Sequence, residues 1–166
     1  MDTHYQRTTA SDEWYTPREI IDALGRFDLD PCAPMRPLYQ TADVMVNKSQ
    51  DGLTYPWGGC RVWCNPPYSQ PLITQFVQRM VDHNNGILLL FARLDNKLFQ
   101  DMILPRATAV LFMRHRVRFY REDGTQGGSP GIGSVLIAFG SQNALALRSS
   151  GIEGFYVPLA NAQKIK

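Results

Sequence analysis

The segment from Cys60 to His83, CRVWCNPPYSQPLITQFVQRMVDH, joins two patterns that together decide the fold. Its first five residues, CRVWC, form an apolar run of strand length. The last fourteen have apolar residues at helical spacing, and we expect Leu72, Phe76 and Met80 to face the core. The next run, GILLLFA, is continuously apolar, as in a strand that is covered on both faces of a parallel sheet. A strand, a helix and another buried strand in this order predict an α/β fold.

The rest of the chain continues the alternation. Thr16 as N-cap, Pro17 at the first helical position and Glu19 as capping-box acid predict a helix that ends near Gly25. Its inward residues would be Ile20, Ile21 and Leu24. A helix over about 96–103 and an irregular stretch over 33–52 are also expected. Further strands are predicted at RFDLDP, ATAVLFM, HRVRFYRE, SVLIAFG and GFYVPL.

These elements predict one α/β domain over residues 1–166, with a mostly parallel sheet and an antiparallel edge strand pair. That pair would be HRVRFYRE and SVLIAFG, joined by a glycine-rich loop. We expect residues 1–11 and 160–166 to be loosely structured. Ligands of such sheets bind at the carboxyl ends of the strands, where Asp30-Pro31 and the NPPY segment both lie.

The composition excludes several classes of protein. A hydrophobic content of 44% and a charged content of 19% are typical of a globular domain. No apolar run approaches the roughly 18 residues that span a bilayer, and no signal peptide is evident, so we expect a cytoplasmic protein without membrane contact. Three cysteines at no framework spacing suit a reducing compartment and predict no metal site.

The charge is unevenly distributed. Residues 1–68 contain six Lys and Arg against nine Asp and Glu, whereas residues 69–166 contain eleven against six. The densest cluster is RHRVRFYR, in which Arg114, Arg116 and Arg118 would share one face of a strand, followed by Arg121. Such a stripe could follow a phosphate backbone, although a solvated strand face explains it equally well.

The NPPY segment has the chemistry of a site for a hydrogen-bond donor. Asn65 offers an amide oxygen, and Pro66 and Pro67 lack N–H groups, so the turn presents rigid acceptors. A planar amino group matches two acceptors, and Tyr68 offers a face for stacking. Holding both protons localises the nitrogen lone pair for attack on an electrophile. A rigid turn without chemistry, or a proline motif for a partner domain, are the alternatives.

The same residues resemble a family. NPPY, the start DEWYTPREIIDAL, LDPCA, DGL at 51–53, LLLFARLDNKLFQDMILPRA, RVRF and GSVLIAF are similar to motifs of the small phage and prophage DNA N-6-adenine-methyltransferases, over about residues 12–140. The resemblance implies an abbreviated, Rossmann-like methyltransferase sandwich. It also implies a DNA (adenine-N6) methyltransferase that uses S-adenosylmethionine, with protection of phage DNA from restriction as its role.

Site residues follow from the same resemblance. It implies that the residues Trp14, Tyr15, Thr16, Pro17, Asp30, Pro31 and Asp51 bind S-adenosylmethionine. Asn65, Pro66, Pro67 and Tyr68 would hold the target adenine, and Arg114, Arg116, Arg118 and Arg121 would contact the DNA. Arg93 and Asp95 fall at the same sheet edge and could line the site.

The chain departs from the general methyltransferase pattern in two ways. DPCAP lacks the usual glycine-rich loop, and the span from Pro31 to Asp51 leaves only Asp43 as a ribose-binding acid. The expected partner is double-stranded DNA, or DNA that is transiently single-stranded, bound by a monomer or homodimer. RNA adenine, cytosine N4 and glutamine amides remain alternative acceptors, as does a catalytically inactive binding module. A Pro31-Cys32 nucleophile is a further alternative.

Overall fold

The computed structural model describes residues 13–165, so the expectation for residues 1–11 lies outside the described residues. Seven strands form one sheet: β1 Leu29–Asp30, β2 Val44–Met45, β3 Val62–Cys64, β4 Gly86–Phe91, β5 Ala109–Met113, β6 Ser134–Phe139 and β7 Gly154–Pro158. The helices are α1 Arg18–Leu24, α2 Leu72–His83 and α3 Ser141–Arg148, with a π-helix at Leu98–Ile103. Residues 160–165 are exposed and form neither helix nor strand.

The strands are ordered β2-β1-β3-β4-β6-β5-β7 across the sheet. The pairs β2–β1, β1–β3 and β3–β4 are parallel, and β6 is antiparallel to both β4 and β5. The edge strand β7 is antiparallel to β5. This confirms the predicted Rossmann-like α/β fold with a mostly parallel sheet. The antiparallel strands are β6 and β7, however, and β6 lies inside the sheet.

Alternate residues of the strands face two separate cores. On one face, Cys64 and Leu88 pack with α2 and the π-helix. On the other, Trp63 and Ile87 pack with α1 and α3. Because β3, β4 and β6 are covered on both sides, their sequences are continuously apolar, as predicted.

Two details of the predicted helices are wrong. The N-cap of α1 is Pro17, and no side chain caps it, so Thr16 and Glu19 do not form a capping box. In α2, Phe76 and Met80 are buried as expected, but Leu72 is 38% exposed because it lies at the first position of the helix, beside the NPPY turn. The inward residues predicted for α1 are all buried.

The strand predicted over HRVRFYRE is also wrong. In this segment only Tyr120 forms β-bridges, one to Tyr15 and one to Gln126. Val117 and Phe119 are buried and the intervening Arg118 is exposed, so the segment keeps an alternating pattern without a strand partner. The arginine stripe therefore does not lie on the sheet. It belongs to a loop that packs over the amino-terminal part of the described chain.

Two elements were not predicted. The helix α3 buries Asn143, Ala144 and Leu147, which is a weak apolar pattern. The strand β2 has only two residues and lies in the stretch that was expected to be irregular. Asp43 precedes β2 and therefore lies at the amino ends of the parallel strands, whereas ligands bind at the carboxyl ends. It also accepts hydrogen bonds from Arg26, so it is poorly placed to bind a ribose.

Candidate active site

Two neighbouring turns form the centre of the candidate site. β1 ends at Asp30 and β3 ends at Cys64, and these strands are parallel neighbours. The turns that follow them, Asp30-Pro31 and Asn65-Pro66, therefore meet at one edge of the sheet. The Sγ atoms of Cys32 and Cys64 lie 3.6 Å apart and mark this junction.

A cavity of about 470 Å³ opens beside these turns. Its lining includes the predicted site residues Trp14, Pro31, Asp51, Asn65, Pro66, Pro67 and Tyr68. A smaller cavity of about 20 Å³ adds Tyr15, Thr16 and Asp30 and shares Trp14 and Asn65 with the larger one. The fold thus brings together every predicted cofactor and catalytic residue except Pro17, which is buried at the start of α1 and lines neither cavity.

The side chain of Asn65 is oriented by the amino-terminal segment. Its Nδ2 atom lies 3.4 Å from the carbonyl oxygen of Trp14 and 3.4 Å from Oγ1 of Thr16. A carbonyl oxygen can only accept a hydrogen bond, so the amide nitrogen must face it. The amide oxygen of Asn65 is consequently directed away from this contact and remains available as an acceptor.

Tyr68 is held at the other end of the turn. Its ring lies 4.7 Å from that of Phe91, with an interplanar angle of 32°, and its hydroxyl accepts a hydrogen bond of 2.8 Å from the N–H of Phe91. Burial raises the pKa of the Tyr68 hydroxyl, so the phenol is neutral at neutral pH. The residue is 40% exposed, and its ring offers a surface on which a planar group can stack.

Asp30 is a buried acid at the edge of the small cavity, where it is only 3% exposed. Its carboxylate accepts hydrogen bonds from the N–H of Cys32 and from the hydroxyl of Thr41. Burial raises the pKa of Asp30 from its ordinary value of 3.8 to about 6, although both hydrogen bonds act in the opposite direction. No Lys or Arg within residues 13–165 forms an ion pair with it. A carboxylate in this position favours a cationic or hydrogen-bond-donating ligand.

The turn at Asp51 forms a further part of the wall of the larger cavity. Asp51 has a left-handed backbone with φ of 55°, and its Oδ1 accepts the N–H of Leu53 at 3.1 Å. The adjacent Gly52 packs directly on the Asp30-Pro31 turn, because a Cβ at this position would lie 1.8 Å from the carbonyl oxygen of Pro31. The DPCAP turn itself contains no glycine, and the close contact of backbones at this point is the one between Gly52 and Pro31.

Several lining residues were missed by sequence reasoning. Thr41 and Tyr39 come from the irregular stretch, where no periodicity marks them, and Tyr39 donates a hydrogen bond to the carbonyl oxygen of Thr16. Lys48 lines the larger cavity near Glu13. The motif DGL predicted Asp51 as a site residue. The glycine in this motif is the sequence signal by which Gly52 could have been identified.

The four arginines predicted to contact DNA have different neighbours. Arg114 lies near Glu153, at 3.8 Å, and Arg116 donates to the carbonyl oxygen of Pro130. Arg121 lines a surface groove together with Trp14 and Glu122. Arg118 is exposed, as are the other three arginines. The predicted edge residue Arg93 lines a separate cleft beside Tyr68, and Asp95 is exposed in the same loop.

Two negative findings apply to residues 13–165. No helix there is long and apolar enough to cross a membrane. Within the same range, no group of three or more His, Cys, Asp or Glu side chains is arranged to hold a metal ion.

Comparison with known proteins places these features in a family. A family model described as DNA N-6-adenine-methyltransferase (Dam) matches residues 3–143. The chain is 37% identical over 102 residues to the DNA N-6-adenine-methyltransferase of Escherichia phage T1, covering 57% of this chain and 36% of that protein. It is 29% identical over 103 residues to the DNA N-6-adenine-methyltransferase of Haemophilus phage HP1, covering 59% of this chain and 57% of that protein.

The aligned regions thus span about a third and somewhat more than half of the lengths of these two relatives. No solved structure matches the chain significantly. The family model, in contrast, covers most of the sequence, including the Trp14–Pro17 segment, both strand-end turns and Asn143. The chain therefore belongs to the DNA N-6-adenine-methyltransferase (Dam) family.

Proposed function

We propose that this protein transfers a methyl group from S-adenosylmethionine to the N6 amino group of adenine in DNA. The observation that carries the proposal is the orientation of Asn65, whose amide nitrogen faces Trp14 and Thr16 and whose oxygen is left for a ligand. The family membership and the names of the two phage relatives support the same activity.

The cavity beside the turns fits the cofactor in size and chemistry. Its walls combine apolar groups such as Trp14 and Pro31 with the carboxylate of Asp51, and the carboxylate of Asp30 lines the small cavity beside it. We assign Trp14, Tyr15, Thr16, Asp30, Pro31 and Asp51 to this ligand, with Pro17 supporting them from the start of α1. The carboxylates suit ammonium, ribose hydroxyl and adenine amino donors. S-adenosylmethionine supplies an electrophilic methyl group when bound.

The NPPY turn holds the acceptor. The amide oxygen of Asn65 and the carbonyl oxygen of Pro66 accept one hydrogen bond each from the N6 amino group of adenine, while Tyr68 stacks on the ring. Pro67 has no N–H that could compete for these acceptors. Both contacts draw the nitrogen toward a tetrahedral arrangement and localise its lone pair, which is otherwise delocalised into the ring. After transfer, the extra proton leaves the amine to solvent.

An adenine in duplex DNA must leave the base stack to reach this turn, at a cost of a few kcal/mol. We propose double-stranded DNA, or DNA opened transiently, as the partner, with Arg114, Arg116, Arg118 and Arg121 near the phosphate backbone. Arg116, Arg118 and Arg121 are exposed and form no ion pair within the described part of the chain, whereas Arg114 lies near Glu153, so these three are better suited to this role than Arg114. We also propose that the protein acts in the cytoplasm of a bacterial cell, which its free cysteines and phage relatives support.

The test is methylation of unmodified DNA with methyl-labelled S-adenosylmethionine, followed by nuclease digestion and mass analysis of the nucleosides. We expect label in N6-methyladenine for the wild type and a loss of at least about 100-fold in kcat for Asn65→Ala. Asn161→Ala, which changes an exposed asparagine outside the site, is the matched control and should be fully active. Full activity of Asn65→Ala, or label in cytosine, RNA or protein only, contradicts the proposal.

A further inference from the structure

A second cleft adjoins the NPPY turn at Tyr68. It has a volume of about 770 Å³ and lies between the start of α2 and residues 93–102. Tyr68 lines both this cleft and the cofactor cavity. A ligand in the cleft would therefore contact the residue that supports the target base.

The lining of the cleft has two parts. The floor is apolar, since Ile73, Leu90 and Phe99 are 8%, 1% and 1% exposed. The rim is polar and contains two cations, Arg93 and Lys97, which are both exposed. An apolar floor, an exposed aromatic ring and a cationic rim are the combination with which proteins bind single-stranded nucleic acid.

The rim charges are available to a ligand. Within residues 13–165, neither Arg93 nor Lys97 forms an ion pair. The acidic residue in the lining, Asp101, is paired with Lys164, which lowers the pKa of its carboxyl group. Asp95 lies in the same loop but does not line the cleft. The rim therefore presents a positive charge to a ligand inside the cleft.

We propose that this cleft binds the nucleotide that neighbours the target adenine on the same DNA strand. Arg93 and Lys97 contact its phosphates, and its base lies over the apolar floor beside Tyr68. The inference rests on the proposed function, because it assumes that an adenine occupies the NPPY turn. It adds a reason for the cleft: contacts to a neighbouring nucleotide help to offset the cost of removing the adenine from the stack.

The variants Arg93→Ala and Lys97→Ala test the contacts. Each should raise the KM for a short single-stranded oligonucleotide with one adenine by about 5- to 10-fold. Each should also reduce the slope of log KM against the logarithm of the salt concentration by about 0.7, as expected for the loss of one phosphate contact. The kcat at saturating DNA and the KM for S-adenosylmethionine should not change. Arg106→Ala is the matched control, since Arg106 is exposed, forms no ion pair in the described chain and precedes β5 at the opposite sheet edge.

A neutral methylphosphonate, placed in turn at each phosphate near the adenine, identifies the partner of each cation. At one position the KM of the wild type should rise by about the same factor as in the arginine or lysine variant, and the same oligonucleotide should cause no further loss in that variant. The proposal would be overturned if, at every position, the increase in KM caused by the methylphosphonate multiplied the increase caused by the substitution. It would also be overturned if Arg106→Ala raised the KM as much as Arg93→Ala and Lys97→Ala do.

Direct binding separates the two proposals. Fluorescence anisotropy of a labelled oligonucleotide requires no methyl transfer, so it measures the cleft even if the wild type methylates no adenine. Weaker binding in Arg93→Ala and Lys97→Ala but not in Arg106→Ala supports the cleft, and unchanged binding overturns it. If the alanine variants are poorly folded by circular dichroism, Lys97→Gln, which keeps a polar side chain of similar length, gives the same comparison.

Discussion

The Nδ2 atom of Asn65 lies 3.4 Å from Oγ1 of Thr16. This contact joins the turn after β3 to the segment that precedes α1, which is 49 residues away in sequence. Thr16 is only 4% exposed, and its hydroxyl is not used to cap the helix. We therefore expect this hydroxyl to help orient the amide group that is proposed to receive the target amine.

Replacement of Thr16 by valine should lower the kcat of methylation by about 5- to 10-fold. The substitution removes one hydrogen bond, worth about 1 kcal/mol, and leaves the amide group of Asn65 oriented by the carbonyl oxygen of Trp14 without the second contact to Thr16. The measurement is kcat at saturating DNA and S-adenosylmethionine.

Thr108→Val provides the control for this variant. The hydroxyl of Thr108 accepts the N–H of Gly140 at 3.0 Å, at the edge of the sheet opposite the site. Its loss should cost about 1 kcal/mol of stability. Its kcat should equal that of the wild type, and an unchanged kcat in Thr16→Val would mean that Asn65 does not depend on the hydroxyl.

The strongest local patterns were sufficient to predict most of the fold. The strand β4 is continuously apolar because it is covered on both faces, and α2 has apolar residues at helical spacing because one of its faces packs on the sheet. The helix α3 has no such pattern, since only Asn143, Ala144 and Leu147 are buried. The segment HRVRFYRE has the alternation of a strand, but within the described chain its β-pairing is limited to the isolated bridges of Tyr120 to Tyr15 and Gln126.

The candidate site was predictable where a motif follows a strand. Asp30-Pro31 and NPPY are of this kind, because the ends of parallel strands meet at one sheet edge. Contacts that depend on distant segments were not predictable. The hydroxyl of Thr41 reaches Asp30 from an irregular stretch, and Phe91 reaches Tyr68 from the end of the next strand.

Gly52→Ala should weaken both the fold and the cofactor site. A Cβ at this position would lie 1.8 Å from the carbonyl oxygen of Pro31, so one of the two turns must move. We expect a loss of about 1–3 kcal/mol in the free energy of unfolding, measured in urea. We also expect at least about 10-fold weaker binding of S-adenosylmethionine by calorimetry.

Gly128→Ala is matched to this variant, because a Cβ at Gly128 meets no atom within 4 Å. It should preserve both stability and binding. Equal behaviour of the two variants would show that the turns at Pro31 and Gly52 can separate without consequence.

Cys32→Ala should retain kcat within about 3-fold of the wild type. Burial raises the pKa of the Cys32 thiol well above its ordinary value, so the thiol is protonated at neutral pH and is a poor nucleophile. Its sulfur instead packs 3.6 Å from that of Cys64. The half-buried Cys60, outside the site, is the control as Cys60→Ala. A loss of about 100-fold or more in Cys32→Ala, with unchanged cofactor binding, would indicate covalent catalysis by this cysteine.

Asp30→Asn should have opposite effects on the stability of the free protein and on cofactor binding. The pKa of Asp30 is raised from 3.8 to about 6 by burial, so its protonation favours the folded state. This contribution is complete below pH 3.8 and is lost as the pH rises through about 6. Above that pH, the buried carboxylate costs about 3 kcal/mol relative to its neutral form.

Asparagine carries no charge and can keep the hydrogen bond from the N–H of Cys32. Without cofactor, Asp30→Asn should therefore be more stable than the wild type at pH 7.5, with a difference that shrinks toward pH 4. At pH 7.5 it should bind S-adenosylmethionine at least about 10-fold more weakly, because a charge-assisted hydrogen bond is lost. Asp82→Asn, an exposed acid on α2, should change stability by less than about 0.5 kcal/mol. Urea unfolding at both pH values and calorimetry measure these effects, and a stability difference that does not vary with pH would contradict the assignment of a buried, ligand-binding carboxylate to Asp30.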